Sequence, residues 1–415
     1  MRPALVLAAV VLLPAGCSEG SAAFPARAVT APRAAALVRT AMRANAQVGA
    51  APVPNVDRVP SRPPCRGHTD SPRPVPYLKG QTHVHTERSY DAETPVDEVL
   101  RFYAERGYDF VAITDHNHVS HGHAPQGLLF IPGVELTYNA MNCEPPPPPG
   151  YLCALHGNVL FLNPFLDLTR GRHFNPPLRR HRLEVMRWQM GWAAAVDGVL
   201  VFNHPTHHHA ADAKMLIALA GKGVRFVEFF NASAYEYDEV GVEESIQASE
   251  KLWDEVLTAG KLVWTTGADD AHHFHDAAHV RSLGHHVLAG DRAWVMVRSA
   301  KEPGAIREAM LRGKFYVSSG LTFSRLEMSP THVHVTIEPR AGEDTEVRFM
   351  GAGGKVLATV QGTDACYPVA GHERYVRVAV RSDGGARAWS QPLWLAGEPL
   401  ARAEATVAKG RVEAP

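Results

Sequence analysis

The stretch Phe110-Val111-Ala112-Ile113-Thr114-Asp115-His116-Asn117-His118 decides how the chain is read. Four apolar residues make a short buried strand, and the run then breaks into acid, amide and imidazole side chains. Upstream, Gly80-Gln81-Thr82-His83-Val84-His85 has the same form, and a two-residue period puts both imidazoles on one face. Asp91 follows shortly after. Downstream the form returns at Gly133-Val134-Glu135, at Asn203-His204-Pro205 and at Gly267-Ala268-Asp269-Asp270-Ala271-His272, while His156-Gly157-Asn158 opens a strand.

Candidate strands are 80–85, 110–114, 129–134, 158–162, 199–203, 226–230, 262–266 and 294–297. Helices fit between several of them. Thr94-Pro95-Val96-Asp97 is a helix start with a capping hydroxyl and Pro at the first position, and Gly107 ends that helix. Residues 242–259, closed by Gly260, and 302–312 are two more. Strands alternating with helices predict an α/β fold with a parallel sheet, barrel or open. In a barrel of this kind, residues just after each strand converge at one end. A lone histidine is usually a satisfied surface or core residue, but His, Asp or Glu at six separate strand edges points to a metal site.

Composition agrees with a folded globular chain. The chain has 415 residues, 45% hydrophobic and 20% charged, more than a single core usually covers and not the balance of a disordered chain. With 42 basic and 43 acidic side chains the formal charge is −1, which argues against a nucleic-acid-binding surface. Of 23 histidines, all but His68, His332, His334 and His372 fall between His83 and His286. His207-His208-His209 cannot all face one metal, because successive side chains diverge; they are expected at the site mouth or in solvent, with His273 and His275 as accessory residues. His332 and His334 are expected on the face of a surface strand.

The ends differ from the middle. Arg2, the apolar run 4–13 and Leu13-Pro14-Ala15-Gly16-Cys17 read as an export signal (residues 1–17) with a lipobox-like end, although Pro14 is atypical there. Residues 18–76, rich in Ala, Pro and Arg, read as a linker with one helix at 34–46. Export puts Cys65, Cys143, Cys153 and Cys366 in an oxidising compartment, where four cysteines allow three pairings. Cys143 with Cys153 would clamp a polyproline tip, leaving Cys65 for Cys366. From residue 320 to 415, alternating runs such as His332-Val333-His334-Val335-Thr336-Ile337, separated by Gly-rich turns, predict a small β-sandwich.

His83-Val84-His85-Thr86, Ile113-Thr114-Asp115-His116-Asn117, Gly133-Val134-Glu135, His204-Pro205 and Asp270-Ala271-His272 resemble, in order, the motifs of the PHP (polymerase and histidinol phosphatase) superfamily, over residues 77–319. The export signal, Gly313-Lys314-Phe315-Tyr316-Val317-Ser318-Ser319-Gly320 and the β-rich tail resemble its carbaryl-hydrolase-like (CehA/McbA) branch. The resemblance implies a distorted (β/α)7 barrel, so one of the eight candidate strands is an outlier. It implies three metal positions: His83, His85, Glu135 and Asp270 at the first; Glu135, His156 and His204 at the second; Asp91, His116 and His272 at the third. His173 or His181 compete with His156, and Asp269 competes with Asp270.

Mixed imidazole and carboxylate donors suit two or three divalent transition ions, Zn, Mn or Fe. The implied chemistry is hydrolysis by a bridging metal-bound hydroxide, with Glu135, Asp270 and His272 as the catalytic residues. A phosphoesterase is the first expectation; a carbamate, ester or amide hydrolase is the second, and a non-catalytic zinc-binding protein at the cell surface the third. Supporting residues are Asp115 (orienting His116 or a neighbouring ligand, or capping its loop), Asn117, His118 and Asn231, with Arg88 and Arg292 as anion-binding candidates. The expected partner is a small-molecule substrate, with no nucleic acid and no membrane contact beyond a lipid anchor at Cys17. The expected location is the periplasm or the outer surface of a bacterium.

Overall fold

The computed structural model describes residues 76–163, 181–237 and 241–396, within one structural unit, Val59–Pro415. The signal segment, Cys17, the 34–46 helix, Cys65 and His173 lie outside the described residues.

Seven strands come first: β1 (Tyr77–Gln81), β2 (Phe110–Ile113), β3 (Leu129–Ala140), β4 (Cys153–Leu160), β5 (Val199–Phe202), β6 (Phe226–Asn231) and β7 (Trp264–Ala268). They lie side by side in chain order. Four of the six joins are parallel, but β4 runs antiparallel to both β3 and β5, which corrects the all-parallel expectation. The cause is the connection. β3 continues to Ala140, past the expected end at 134, and the proline-rich tip 141–152 leads directly into β4. A run of prolines cannot form the helical crossover that a parallel neighbour requires. The expected Cys143–Cys153 disulfide spans the tip; Cys366 is also disulfide-bonded. Because β4 is reversed, its first half lies beside the last half of β3, and His156 pairs with Thr137.

Strand β8 (Trp294–Arg298) is the outlier among the eight expected strands. It pairs antiparallel with β1 and then with β9 (Phe315–Ser318). The sheet curls so that β7 and β1 meet just beyond their ends. There the Asp270 amide donates to the His83 carbonyl and the His85 amide to the Ala271 carbonyl, both at 3.0 Å. Closure therefore occurs at the end that carries the histidines. Elsewhere apolar side chains, Leu78, Ile131, Val201 and Phe226 among them, pack as one buried cluster. Gly80 belongs to this packing by necessity, since a Cβ there would fall 1.9 Å from the Phe110 ring.

The helices are α1 (Val96–Ala104), α2 (Arg182–Ala195), α3 (Ala213–Ala220), α4 (Ala234–Tyr237), α5 (Val242–Thr258), α6 (Ala277–Ser282) and α7 (Pro303–Leu311). At the start of α1 the expected hydroxyl cap does not form: Pro95 takes the cap position, and the Thr94 carbonyl instead accepts from the Glu87 amide at 2.9 Å.

The C-terminal strands are β10 (Phe323–Met328), β11 (His332–Ile337), β12 (Thr345–Gly351), β13 (Lys355–Gln361), β14 (Asp364–Pro368), β15 (Tyr375–Ser382), β16 (Arg387–Ser390) and β17 (Leu393–Trp394). One sheet has the order β10-β11-β14, and a second, β13-β12-β15-β16, continues through β9 into β8 and β1. Phe323, Val335, Phe349, Tyr367 and Val378 share one core across the two sheets. The sheet thus runs unbroken across position 319/320. His332 and His334 pair locally with Glu327 at 3.1 Å and Asp364 at 2.8 Å.

Candidate metal centre

Strand ends bring the ligands together, and burial makes their meeting costly. His83, His85 and Glu135 are at most 1% exposed, and His156, His204 and His272 are also buried. His83 and His85 alternate with Val84, whose side chain enters the apolar cluster under α1 while the two imidazoles take the other face. The Nε2 atoms of His83 and His85 stand 3.2 Å apart, and each is 3.1 Å from Asp270 Oδ1. Glu135 Oε1 lies 3.3 Å from His83, 3.2 Å from His156 and 3.7 Å from His204. Its Oε2 lies 2.6 Å from His116 Nδ1. Asp91 completes the rim, 3.2 Å from His116 and 3.6 Å from His272.

Three groups of donor atoms converge within 4.8 Å: His83, His85 and Glu135; Glu135, His156 and His204; and His85, His116 and His272. The first two reproduce the expected groupings, apart from Asp270 standing beside the first. The third contains His85 in addition to the expected His116 and His272, with Asp91 alongside. All nine expected ligands therefore meet at one end of the sheet. Two of the competitors do not: His181 is exposed and lies 4.0 Å from Glu144, and Asp269 faces away from the histidines. Asp269 instead accepts hydrogen bonds from Gln81, Tyr103 and the amides of Asp291, Arg292 and Ala293, and burial raises its pKa to about 6.

The donor set fits divalent ions on its own chemistry. His83 Nδ1 faces the Glu228 carboxylate at 3.1 Å; donating a proton there leaves a lone pair on Nε2. That lone pair would face a second imidazole nitrogen and the carboxylates of Glu135 and Asp270, an arrangement that requires positive charge in its midst. Protonation patterns report the same demand. Burial opposes the charged form of His83, yet Asp270, Glu228 and Glu135 hold its pKa well above the ordinary value. Against the same burial, Glu135 and Asp91 push His116 up to about 10. His85, buried between His272 and His116, falls to about 4. Burial would raise the pKa values of Glu135 and Asp270, but the surrounding imidazoles hold both well below the carboxylate range.

Several hydrogen-bonding partners orient the ligands. Asp115 does not touch the His116 ring; its carboxylate accepts from Thr86, Ser89 and Ser120, and Ser89 Oγ contacts His85 Nδ1 at 2.8 Å. Asp115 thus supports His85 through a serine. Asn231 donates to Asp270 at 3.1 Å. Asn117, expected to face substrate, instead pairs its amide with the Thr137 backbone. His204 takes a left-handed φ of 24°, and its buried Nδ1 has no hydrogen-bond partner among the described residues.

The residues missed in the sequence are Glu228, Asn203, Thr137 and Asn139. Asn203 donates to Glu135 Oε1 at 2.8 Å, Thr137 to Glu135 Oε2 at 2.9 Å, and Asn139 Oδ1 is 2.9 Å from His156 Nε2. Glu228 had a readable signal: one acid inside the apolar run Phe226-Val227-Glu228-Phe229-Phe230 must find partners. Thr137 reaches Glu135 two residues back along its own strand, whereas the partners of Asn203 and Asn139 depend on the reversal of β4.

A cavity of about 290 Å³ opens over the cluster, walled by Tyr90, Asn139, Leu152, Ser233 and Leu288, with His207 and His208 at its edge as expected. Tyr90 stacks on His116 with ring centroids 4.7 Å apart. Arg88 is exposed beside Glu87, the Arg292 amide serves Asp269, and neither side chain lines the cavity; nor does His118. His209 and His275 are exposed, and His273 Nδ1 accepts from the Leu288 amide at 3.1 Å.

No family model matches the chain, and no curated protein matches it. Among solved structures it is similar to a two-domain protein containing a predicted PHP-like metal-dependent phosphoesterase from Bacteroides vulgatus ATCC 8482, with 16% identity, 77% of this chain and 95% of that chain covered, and a TM-score of 0.37. It is also similar to an amidohydrolase from Chromobacterium violaceum with bound sulfate and no metal, with 13% identity, 46% and 87% of the two chains covered, and a TM-score of 0.31. At these scores the reading of the site rests on its own geometry.

Proposed function

We propose that this chain is a metal-dependent hydrolase with a distorted seven-stranded PHP-type barrel, and that its first reading is a phosphoesterase. One observation carries the metal dependence: two buried imidazole Nε2 atoms 3.2 Å apart share one oxygen of the half-buried Asp270 beneath the buried Glu135. His83, His85, Glu135 and Asp270 would hold one ion, Glu135, His156 and His204 a second, and Asp91, His116 and His272 a third. Zn, Mn and Fe suit these donors. When bound, such ions supply the charge that eases deprotonation of water and offsets negative charge developing on the substrate.

The chain does the rest. Glu135 touches donors of more than one group through its two oxygens, so it is the residue that would couple neighbouring ions. Asn203 and Thr137 hold that carboxylate in place. His272, whose Nδ1 lies 2.9 Å from the Asp270 carbonyl, presents Nε2 toward Asp91 at the cavity. Tyr90, Asn139 and His207 stand where a substrate would be oriented.

A second reading, hydrolysis of a carbamate, carboxylic ester or amide, is favoured by the cavity wall: among the described residues no lysine or arginine lines it. A phosphate dianion ordinarily draws such cations. Parallel assay of p-nitrophenyl phosphate, its bis-ester, the acetate and a carbamate tests both readings on protein prepared without chelator. Turnover of a phosphate ester supports the first reading, turnover confined to the others supports the second, and tight ion binding with no turnover favours zinc capture. Export, from the pattern at residues 1–17, belongs to the same proposal and is tested by fractionating cells and labelling lipid at Cys17.

A further inference from the structure

Glu228 sits directly behind a candidate ligand, at the far side of His83. It lies on β6, is 0% exposed, and is surrounded by Phe226, Val227, Phe229 and Phe230 in sequence. Both of its oxygens lie within reach of His83 Nδ1, at 3.2 and 3.1 Å. Its Oε1 also accepts from Asn231 Nδ2 at 2.6 Å, and the same Asn231 nitrogen lies 3.1 Å from Asp270 Oδ2. A single buried carboxylate therefore contacts two of the four residues expected at the first ion, one directly and one through an amide.

We infer that Glu228 is a positioning residue that fixes His83 as the Nδ1–H tautomer, with Nε2 presented to the first ion, and that it seats Asp270 through Asn231. The inference rests on the metal-dependent reading above. Its physical basis is that an imidazole binds a cation through the nitrogen without a proton, so an acceptor at the other nitrogen sets both tautomer and ring angle. An acid is otherwise expensive at this depth in an apolar strand; pairing with the imidazole and the amide offsets that cost. The Phe226-Val227-Glu228-Phe229-Phe230-Asn231 order explains the geometry, because a register shift between Glu228 and Phe230 lets Glu228 and Asn231 meet at one spot.

The test uses the full chain stripped with chelator and titrated with zinc chloride and, separately, cobalt chloride. Ion affinity is read by calorimetry, and the cobalt d–d spectrum reports on the imidazole donors. Glu228→Ala should weaken one ion by about 10–100-fold and leave the others unchanged. Glu228→Gln keeps the shape and an acceptor oxygen, and should lie between the wild type and Glu228→Ala. Asn231→Ala should weaken the same ion as Glu228→Ala. Thermal unfolding of the stripped proteins is measured alongside, and if Glu228→Ala fails to fold, Glu228→Gln carries the test. Unchanged affinity and cobalt spectrum in Glu228→Gln and Asn231→Ala, with or without lost stability, would overturn the inference and leave the metal reading standing. Failure of the wild type to bind either ion overturns both.

Discussion

Two regions of this molecule bury charge, and they do so in opposite ways. Where α5 meets the C-terminal sheet, Arg377 is 0% exposed, with its guanidinium 2.9 and 2.6 Å from the Asp254 oxygens and 3.3 Å from Glu250. The Tyr375 hydroxyl donates to Asp254 at 2.7 Å, and the Trp253 ring lies 5.0 Å from the guanidinium carbon. The cation and its counter-charges all come from the chain. At the ends of strands β1 to β7, Asp91, Glu135, Glu228 and Asp270 meet imidazoles whose nitrogens point inward at one another. Burial forces charge to be balanced in both places. The first region balances itself and reads as structure; the second calls for a cation from outside and reads as a site.

Substitutions can break this contrast. The largest effect is expected from Glu135→Gln, which should lower turnover of whichever ester is cleaved by more than about 10³-fold, the upper scale for loss of a charge-stabilising group. Circular dichroism should show the fold retained. Full activity in this variant would remove the coupling role assigned to Glu135. Next comes Arg377→Leu, which strands Asp254 in the interior and should cost about 3–5 kcal/mol in urea unfolding while zinc affinity stays the same. Adding Asp254→Leu should recover most of that loss, since a self-contained pair is replaceable by apolar packing. No apolar replacement at Glu135 or Asp270 should be tolerated by ion binding.

Ion removal sharpens the same contrast from the other side. Zinc at a hundredfold above its dissociation constant should stabilise the chelator-stripped protein by about 2.7 kcal/mol per site, read as a rise in Tm. The rise should persist in the Arg377→Leu variant and shrink in Glu135→Gln/Asp270→Asn, which loses carboxylates of the first two positions and leaves the third. The smallest effect concerns Glu373, on the structural side of the comparison. Burial would raise its pKa, but the Tyr367 hydroxyl and the Ala370 and Gly371 amides donate to it and lower it from 4.5 to about 2. A depressed folded-state pKa stabilises the fold above the unfolded value, and that contribution fades as pH falls from about 4.5 through about 2. Glu373→Gln should therefore lose about 1 kcal/mol at neutral pH and show a flatter stability profile across that acid window.

How much of this was legible beforehand varies with the range of the interactions. Alternation of short apolar runs with helices, the polar break after each run and the two-residue spacing of His83 and His85 are local features. They indicated an α/β sheet with its chemistry at the strand ends. Asp269 and Asp270 were open alternatives in the sequence; a left-handed backbone at Asp270, φ 52°, turns its carboxylate to His83 and His85 while Asp269 serves the amides of residues 291–293. The direction of β4 could have been read from its prolines, but the parallel expectation for alternating elements obscured it. Asn117 was misjudged because a left-handed backbone, φ 51°, turns its amide onto the Thr137 main chain instead of toward the cavity.

By itself, then, the sequence determined where the imidazole and carboxylate side chains fall: they stand at strand ends, in apolar surroundings that no imidazole or carboxylate enters without a partner. Only the tertiary structure decided who those partners are. Glu228 behind His83, Ser89 linking Asp115 to His85, Asn139 at His156 and the addition of His85 to the third group all join elements distant along the chain. Such pairings are set by how the sheet curls and where β4 reverses. Hydrogen bonds and charge neutralisation act over a few ångströms of space, whereas sequence periodicity reports only which way each side chain leaves its own strand.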